Sequence, residues 1–147
     1  MKLFPIQRGG VIREDIGPLP AAADAVLEAT ASLYETAGHA PPWICYVATA
    51  NDTIVGTCGF KAAPHQGRVE IAYFTFPDYE GKGIATQMAR QLISIASAAD
   101  SDVIVAAQTL PDRNASHRVL EKLGFVRIGT MDHPEDGLVL EWQRTDH

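Results

Sequence analysis

Long hydrophobic runs are absent from these 147 residues. No stretch approaches the roughly 20 apolar residues that a membrane-spanning helix needs. Met1 to Pro5 offers no apolar core of signal-peptide length, so a cytoplasmic location is expected. Cysteine is scarce, with only Cys45 and Cys58. Without an export signal they are expected to be reduced, buried thiols. No spacing of Cys and His suits a metal, so no metal site is expected. Positive charge is in deficit, with 12 Lys and Arg against 18 Asp and Glu and a net charge of −6. That argues against nucleic acid as a partner and mildly favours a cationic one. The nucleotide signatures G-x-x-x-x-G-K-[ST] and complete G-x-G-x-x-G are both missing. There are no repeats or linkers, and the length suits a single domain over 1–147 with a real core.

What is present centres on Val69 to Gln91. Val69 to Phe76 is aromatic, β-branched and apolar, which predicts a central strand buried on both faces. Pro77 stops it. Gly81 and Gly83 form a turn into a helix from Gly83 to Ala99, where Ile84, Met88, Leu92, Ile95 and Ala99 recur at helical spacing. A glycine turn entering a helix leaves backbone N–H groups free and partially positive, a natural phosphate cradle.

Around this stretch a weak first strand is expected at Leu3 to Gln7 or Val11 to Arg13. A helix follows over Ala21 to Ala37, closed by Gly38. Trp43 to Thr49 and Thr53 to Phe60 read as a hairpin. With Asn51-Asp52 as its loop, Cys45 sits opposite Cys58, Trp43 opposite Phe60, and Val47 opposite Gly56. Val103 to Gln108 reads as a strand parallel to Val69–Phe76. Pro111-Asp112-Arg113-Asn114 starts a further helix, capped by Asp112 or Asn114 and ended at Gly124. Phe125 to Met131 and Leu138 to Gln143 form a last antiparallel pair. The fold class is mixed α/β: six or seven strands, mostly antiparallel with one parallel pair, flanked by about four helices. His39, His65, His117 and His133 read as surface or loop residues.

Glu80-Gly81-Lys82-Gly83-Ile84-Ala85 after an apolar strand resembles the pyrophosphate loop of the GNAT superfamily of acetyl-coenzyme A-dependent N-acetyltransferases. The family pattern is Gln or Arg, two residues, Gly, one residue, then Gly or Ala. Glu80 departs from it, so only backbone donation is expected there. Asn114-Ala115-Ser116 followed by Val119-Leu120-Glu121-Lys122-Leu123-Gly124-Phe125 is similar to a second GNAT signature. It looks closest to the branch that acetylates ribosomal-protein N-termini.

The resemblance implies an N-acetyltransferase that moves acetyl from acetyl-CoA to a primary amine by direct attack. The acceptor is a small molecule or a protein amine, and oligomeric state is left open, a homodimer included. By position, Phe74 and Phe76 would offer backbone to the pantetheine arm, and the Phe74 amide would steady the oxyanion. Glu80, Gly81, Lys82, Gly83, Ile84, Ala85 and Thr86 would hold the phosphates, and Asn114 the coenzyme arm. Glu70 is the candidate general base, with a surface ion pair to Arg68 as the plainer alternative. Leu120 stands where the family often has its Tyr acid. Relatives with the Asn and Ser pattern imply Ser116 in that task, although Asn114 and Ser116 could equally cap the helix. Arg118 could also reach phosphate. The acidic loop Asp132 to Asp136 falls where the family closes its acceptor site. The alternative is a non-catalytic acyl-CoA-binding or sensing module on the same fold.

Overall fold

The computed structural model describes residues 1–112 and 114–144. Arg113, which the sequence assigns to a helix start, lies outside them. Seven strands form one sheet in the order β1-β2-β3-β4-β5-β7-β6. They are β1 (Lys2–Pro5), β2 (Cys45–Ala50), β3 (Thr53–Phe60), β4 (Arg68–Thr75), β5 (Ile104–Thr109), β6 (Phe125–His133) and β7 (Gly137–Arg144). The helices are α1 (Ala21–Ala37), α2 (Ile84–Ala99) and α3 (Ala115–Lys122), with short 3-10 turns at Arg8–Gly10 and Pro77–Tyr79. Against about four expected helices, the described residues thus hold three α-helices and two single turns. Only β4 and β5 are parallel; every other pairing is antiparallel. No helix among the described residues is long and apolar enough to cross a membrane.

The α1 helix starts after Pro20, whose fixed φ ends the extended run, and stops at Gly38 with φ +88°. Tyr34 pins its C-terminal end to the sheet. The phenol donates to the Ile6 carbonyl at 2.8 Å and accepts from the Cys45 amide at 2.9 Å. On the other face Met88, Ala89, Leu92 and Ala96 of α2 are fully buried. They form the apolar stripe that the helical spacing predicts.

The β2–β3 hairpin turns on Asn51 and Asp52, both at positive φ as a two-residue turn requires. The expected register holds for Ala50 with Thr53 and Thr49 with Ile54. A bulge between Ala48 and Thr49 then shifts it by one residue. Cys45 therefore faces Gly59, not Cys58, and Val47 faces Thr57, not Gly56. Both cysteines are free thiols. Trp43 precedes β2 and still packs edge-on against Phe60, with ring centroids 5.1 Å apart.

The β4 strand is less enclosed than its composition suggests. Val69 and Ile71 are buried, but Ala72 is exposed and the Phe74 side chain is 47% exposed. Its pairing to β5 covers Arg68 with Ile104, Val69 with Val105 and Glu70 with Ala106, and goes no further. Beyond Glu70 the two strands part, which opens the sheet at its centre.

Candidate active site

The gap that opens beyond Glu70 is the starting point for the chemistry. Residues along a strand alternate the edge to which their N–H and C=O point. Three hydrogen bonds fix that alternation in β4. Lys61 N–H donates to the Glu70 carbonyl at 3.0 Å, and Phe76 N–H donates to the Val55 carbonyl at 2.9 Å. On the other edge, Ile104 N–H donates to the Gly67 carbonyl at 2.8 Å. Even-numbered residues therefore point their backbone at β3, and odd-numbered ones at β5 and the gap. The expected backbone donors Phe74 and Phe76 are thus displaced by one residue. Their amides belong to the β3 ladder, and the peptide groups that face the gap are those of Tyr73 and Thr75.

One cleft of about 570 Å³ runs along this gap. The end of β4 forms one wall, and Ser116, Val119 and Lys122 of α3 form the other. Its far end is the glycine turn, with Glu80, Gly81 and Gly83 leading to Ile84, Ala85 and Thr86 of α2. Gly81 and Gly83 both have φ +77°, a conformation that strains any side chain. An added Cβ at either would meet only open space. The turn thus exposes its own backbone. The α2 helix closes its first turn with Gln87 N–H on the Gly83 carbonyl at 3.1 Å. The amides before it are the orphan donors of a helix start and carry its positive end. Arg118 and Lys122 add cationic side chains to the same cleft. Lys82 stays outside it, with its ammonium over the Tyr79 ring at 5.8 Å from the centroid. Glu80 is exposed at the cleft's rim.

The α3 helix is set by Asn114. Its side-chain oxygen accepts from Ser116 N–H at 2.9 Å, and its amide donates to the Asp112 carbonyl at 3.0 Å. Asn114 is therefore a helix cap, one of the two roles left open by sequence. Ser116 and Tyr73 line the cleft together. Burial pushes the Tyr73 phenol up to about 12, and Ser116 offsets part of that rise. Behind Ser116, His117 is buried, contrary to its expected surface position. Its Nε2 lies 2.9 Å from the Leu110 carbonyl and 3.1 Å from Thr109 Oγ1. Trp142 Nε1–H donates to the same Thr109 oxygen at 2.9 Å. This network ties α3 to β5 and β7.

Glu70 lies on the opposite face of the sheet from Tyr73, in line with Ala72 and Phe74. It is ion-paired to Lys61, with only 16% of its side chain exposed. Arg68 is not its partner; the Arg68 guanidinium sits 4.0 Å from Glu141. On the same face, a smaller cavity lies between α1 and strands β3 and β4, with Lys61, the partner of Glu70, in its lining. Tyr73 and Phe74 line both this cavity and the cleft. The two spaces therefore meet across those two residues. The acidic β6–β7 turn closes on itself: His133 Nδ1 accepts from the amides of Glu135 and Asp136 at 3.2 and 3.3 Å.

Comparison with known proteins fits this geometry. The acetyltransferase (GNAT) domain family matches residues 12–126. The chain belongs to the GNAT acetyltransferase family. The domain is 30% identical over 95 residues to the N-acetylaspartate synthetase of Rattus norvegicus, covering 63% of this chain and 31% of that protein. Across the curated relatives it matches, the chain spans between 31% and 50% of their length. The ribosomal-protein-S5-alanine acetyltransferase of Vibrio fischeri shares the fold, with a TM-score of 0.64 at 18% identity over 86% of this chain and 75% of that one. A putative streptothricin acetyltransferase of Bacillus anthracis, in complex with acetyl coenzyme A, gives 0.61 at 19% identity over 76% and 66%.

Within this GNAT domain, most sequence-derived candidates fall along one cleft. Glu80, Gly81, Gly83, Ile84, Ala85, Thr86, Ser116 and Phe74 all line it. Phe76 is buried beneath it at 2% exposure, Asn114 caps α3, and Glu70 faces the other side of the sheet. Tyr73, Thr75, Lys61 and Lys122 were missed. Tyr73 and Thr75 carried no signal, because the sequence does not reveal which edge of β4 each peptide faces. Lys122 had one: it follows Arg118 by four residues, on the same helical face.

Proposed function

We propose that this domain transfers an acetyl group from acetyl-CoA to a primary amine by direct attack. The observation that carries the reading is the parted β4–β5 pair. It leaves the Tyr73 and Thr75 peptides facing a cleft that ends in an exposed glycine turn and a helix N-terminus. A pantetheine arm is a chain of amides, and it pairs with peptide groups as a strand would. The glycine turn and the first amides of α2 then receive the pyrophosphate, with Arg118 and Lys122 nearby. That the Bacillus anthracis neighbour is in complex with acetyl coenzyme A supports this assignment of the cosubstrate.

In this reading the amine enters from the Glu70 side. Glu70 takes a proton from the amine, directly or through a water. The nitrogen lone pair forms the new C–N bond, and the thioester carbonyl becomes an oxyanion beside the Tyr73 amide. The C–S bond breaks, and the thiolate takes a proton from the Tyr73 or Ser116 hydroxyl, both in the cleft lining. No covalent enzyme intermediate is required. Lys61 holds the Glu70 side chain in place and would have to share it with the incoming amine.

Thiol release from acetyl-CoA, followed across a panel of primary amines, tests the proposal. The expected result is amine-dependent release that falls about 100-fold in Glu70→Gln, the scale of a lost general base. Coenzyme A binding with no thiol release from any amine would favour the sensing module. A thermal shift with a nucleotide but none with coenzyme A would remove both readings.

A further inference from the structure

The cavity on the Glu70 side has a composition that narrows the acceptor. It holds about 150 Å³ and lies between Thr30 and Leu33 of α1, Cys58 and Phe60 of β3, and Ala72 and Phe74 of β4. Its walls are almost wholly apolar. The lining's threonines are Thr30 and Thr57. The Thr30 hydroxyl donates to the Val26 carbonyl at 2.9 Å. Burial pushes the Cys45 thiol up to about 11 and the Cys58 thiol higher still, so both are neutral. Lys61, the charged residue of the lining, is paired with Glu70, and through Gln108, 3.5 Å from both Lys61 and Glu141, it connects to the Arg68–Glu141 pair. A second cationic group on the acceptor would meet no carboxylate in the lining, only the cationic Lys61. A hydrocarbon group meets no such opposition and gains from leaving water.

The cavity exists because α1 is anchored elsewhere. Tyr34 fixes one end of the helix to Ile6 and Cys45. Gly10 fixes its middle, where an added Cβ would lie 2.5 Å from the Leu27 carbonyl. Between these points α1 stands off β3 and β4. The space meets the coenzyme cleft at Tyr73 and Phe74, which line both.

We propose that the acceptor amine carries a compact apolar substituent, branched aliphatic or phenyl-sized, seated between α1 and β3–β4 with its nitrogen at the Phe74 edge. The size follows from the volume, since an apolar cavity of about 150 Å³ holds a benzene-sized group. The inference rests on the acetyltransferase reading above.

The test compares methylamine, isobutylamine, isoamylamine, benzylamine and putrescine as acceptors for the acetyl-CoA-loaded protein. The expected kcat/KM rises about fourfold per buried methylene. Isoamylamine and benzylamine should exceed methylamine by at least tenfold, and putrescine should fall below both. Ala72→Leu, at an exposed position, fills the cavity and should flatten the gradient while coenzyme A affinity and Tm hold. A second readout needs no turnover. Isoamyl alcohol added to the coenzyme A complex should shift the NMR methyl signals of Ala72 and Leu33, and should leave the Leu33 signal in place in Ala72→Leu. A flat gradient, a preference for putrescine, or no methyl shift overturns the inference while leaving the acetyltransferase reading intact. Failure to bind coenzyme A overturns both.

Discussion

Tyr73 lines the cleft with Ser116, and burial pushes its phenol up to about 12, so it keeps its proton at neutral pH. In the proposed reaction it is a proton source for the thiolate, while the backbone of the same residue faces the gap. Tyr73→Phe separates the two tasks. The peptide stays, the hydroxyl goes, and kcat should fall about 10- to 100-fold with KM for acetyl-CoA little changed. An unchanged kcat would assign the acid to another group. The backbone half of this arrangement was beyond sequence reasoning. Resemblance singled out Phe74 by its position on the strand. The edge each peptide faces depends on which neighbour pairs with β4, and that is a tertiary fact. The same limit applies to Glu70: sequence placed it on one face with Ala72 and Phe74 and offered an ion pair with Arg68 as the plainer alternative. Lys61 is its partner because the chain past β3 keeps Lys61 opposite Glu70, its amide on the Glu70 carbonyl.

At the scale of elements, α3 is eight residues long and depends on its ends. Asn114 supplies the N-terminal cap, and the buried His117–Thr109–Trp142 network holds the first turn to the sheet. Removing the cap with Asn114→Ala should cost about 1 kcal/mol and lower Tm by roughly 2–4 °C. Because the Ser116 amide is the group left unpaired, kcat should fall as well. Asn114→Asp keeps an acceptor and should restore both, which thermal melts and thiol release would show. A wholly structural role would lower Tm without touching kcat. Local signals of this kind were legible: the cap, the Asn51-Asp52 turn and the ends of α1 all follow from short-range chemistry. The β2–β3 bulge was not. Two strands that are apolar on both faces give no alternation to penalise a one-residue slip, so the pattern could not fix the register beyond the turn. The inward turn of His117 was hidden for a related reason, since its partners lie on β5 and β7.

For the whole molecule, burial of neutral acids sets a limit on the alkaline side. Cys45 is raised from 9.0 to about 11, and Tyr46 and Tyr73 from 10.0 to about 12. The unfolded chain releases these protons first. Stability is therefore complete below about pH 9 and is lost progressively as pH rises toward 12. Tm should be level from pH 7 to 8.5 and fall steadily from pH 9 to 11. Cys45→Ala should make that fall shallower, and a Tm that stays level to pH 11 would contradict the burial of these groups. The architecture itself was largely readable. Element order, the one parallel pair and the helix after the glycine turn all follow from periodicity and turn residues. What composition could not convey was the parting of β4 from β5, which leaves an apolar strand half open. That parting, with the alternation along β4, also divides the strand's labour between two kinds of atom. In the proposed reaction, peptide groups at Tyr73 and Thr75 serve the coenzyme, and side chains at Ala72 and Phe74 border the acceptor. Peptide donors survive almost any substitution, whereas side chains do not. A lineage built on this strand can therefore exchange one amine for another by point changes at 72 and 74, without rebuilding the machinery that handles the thioester.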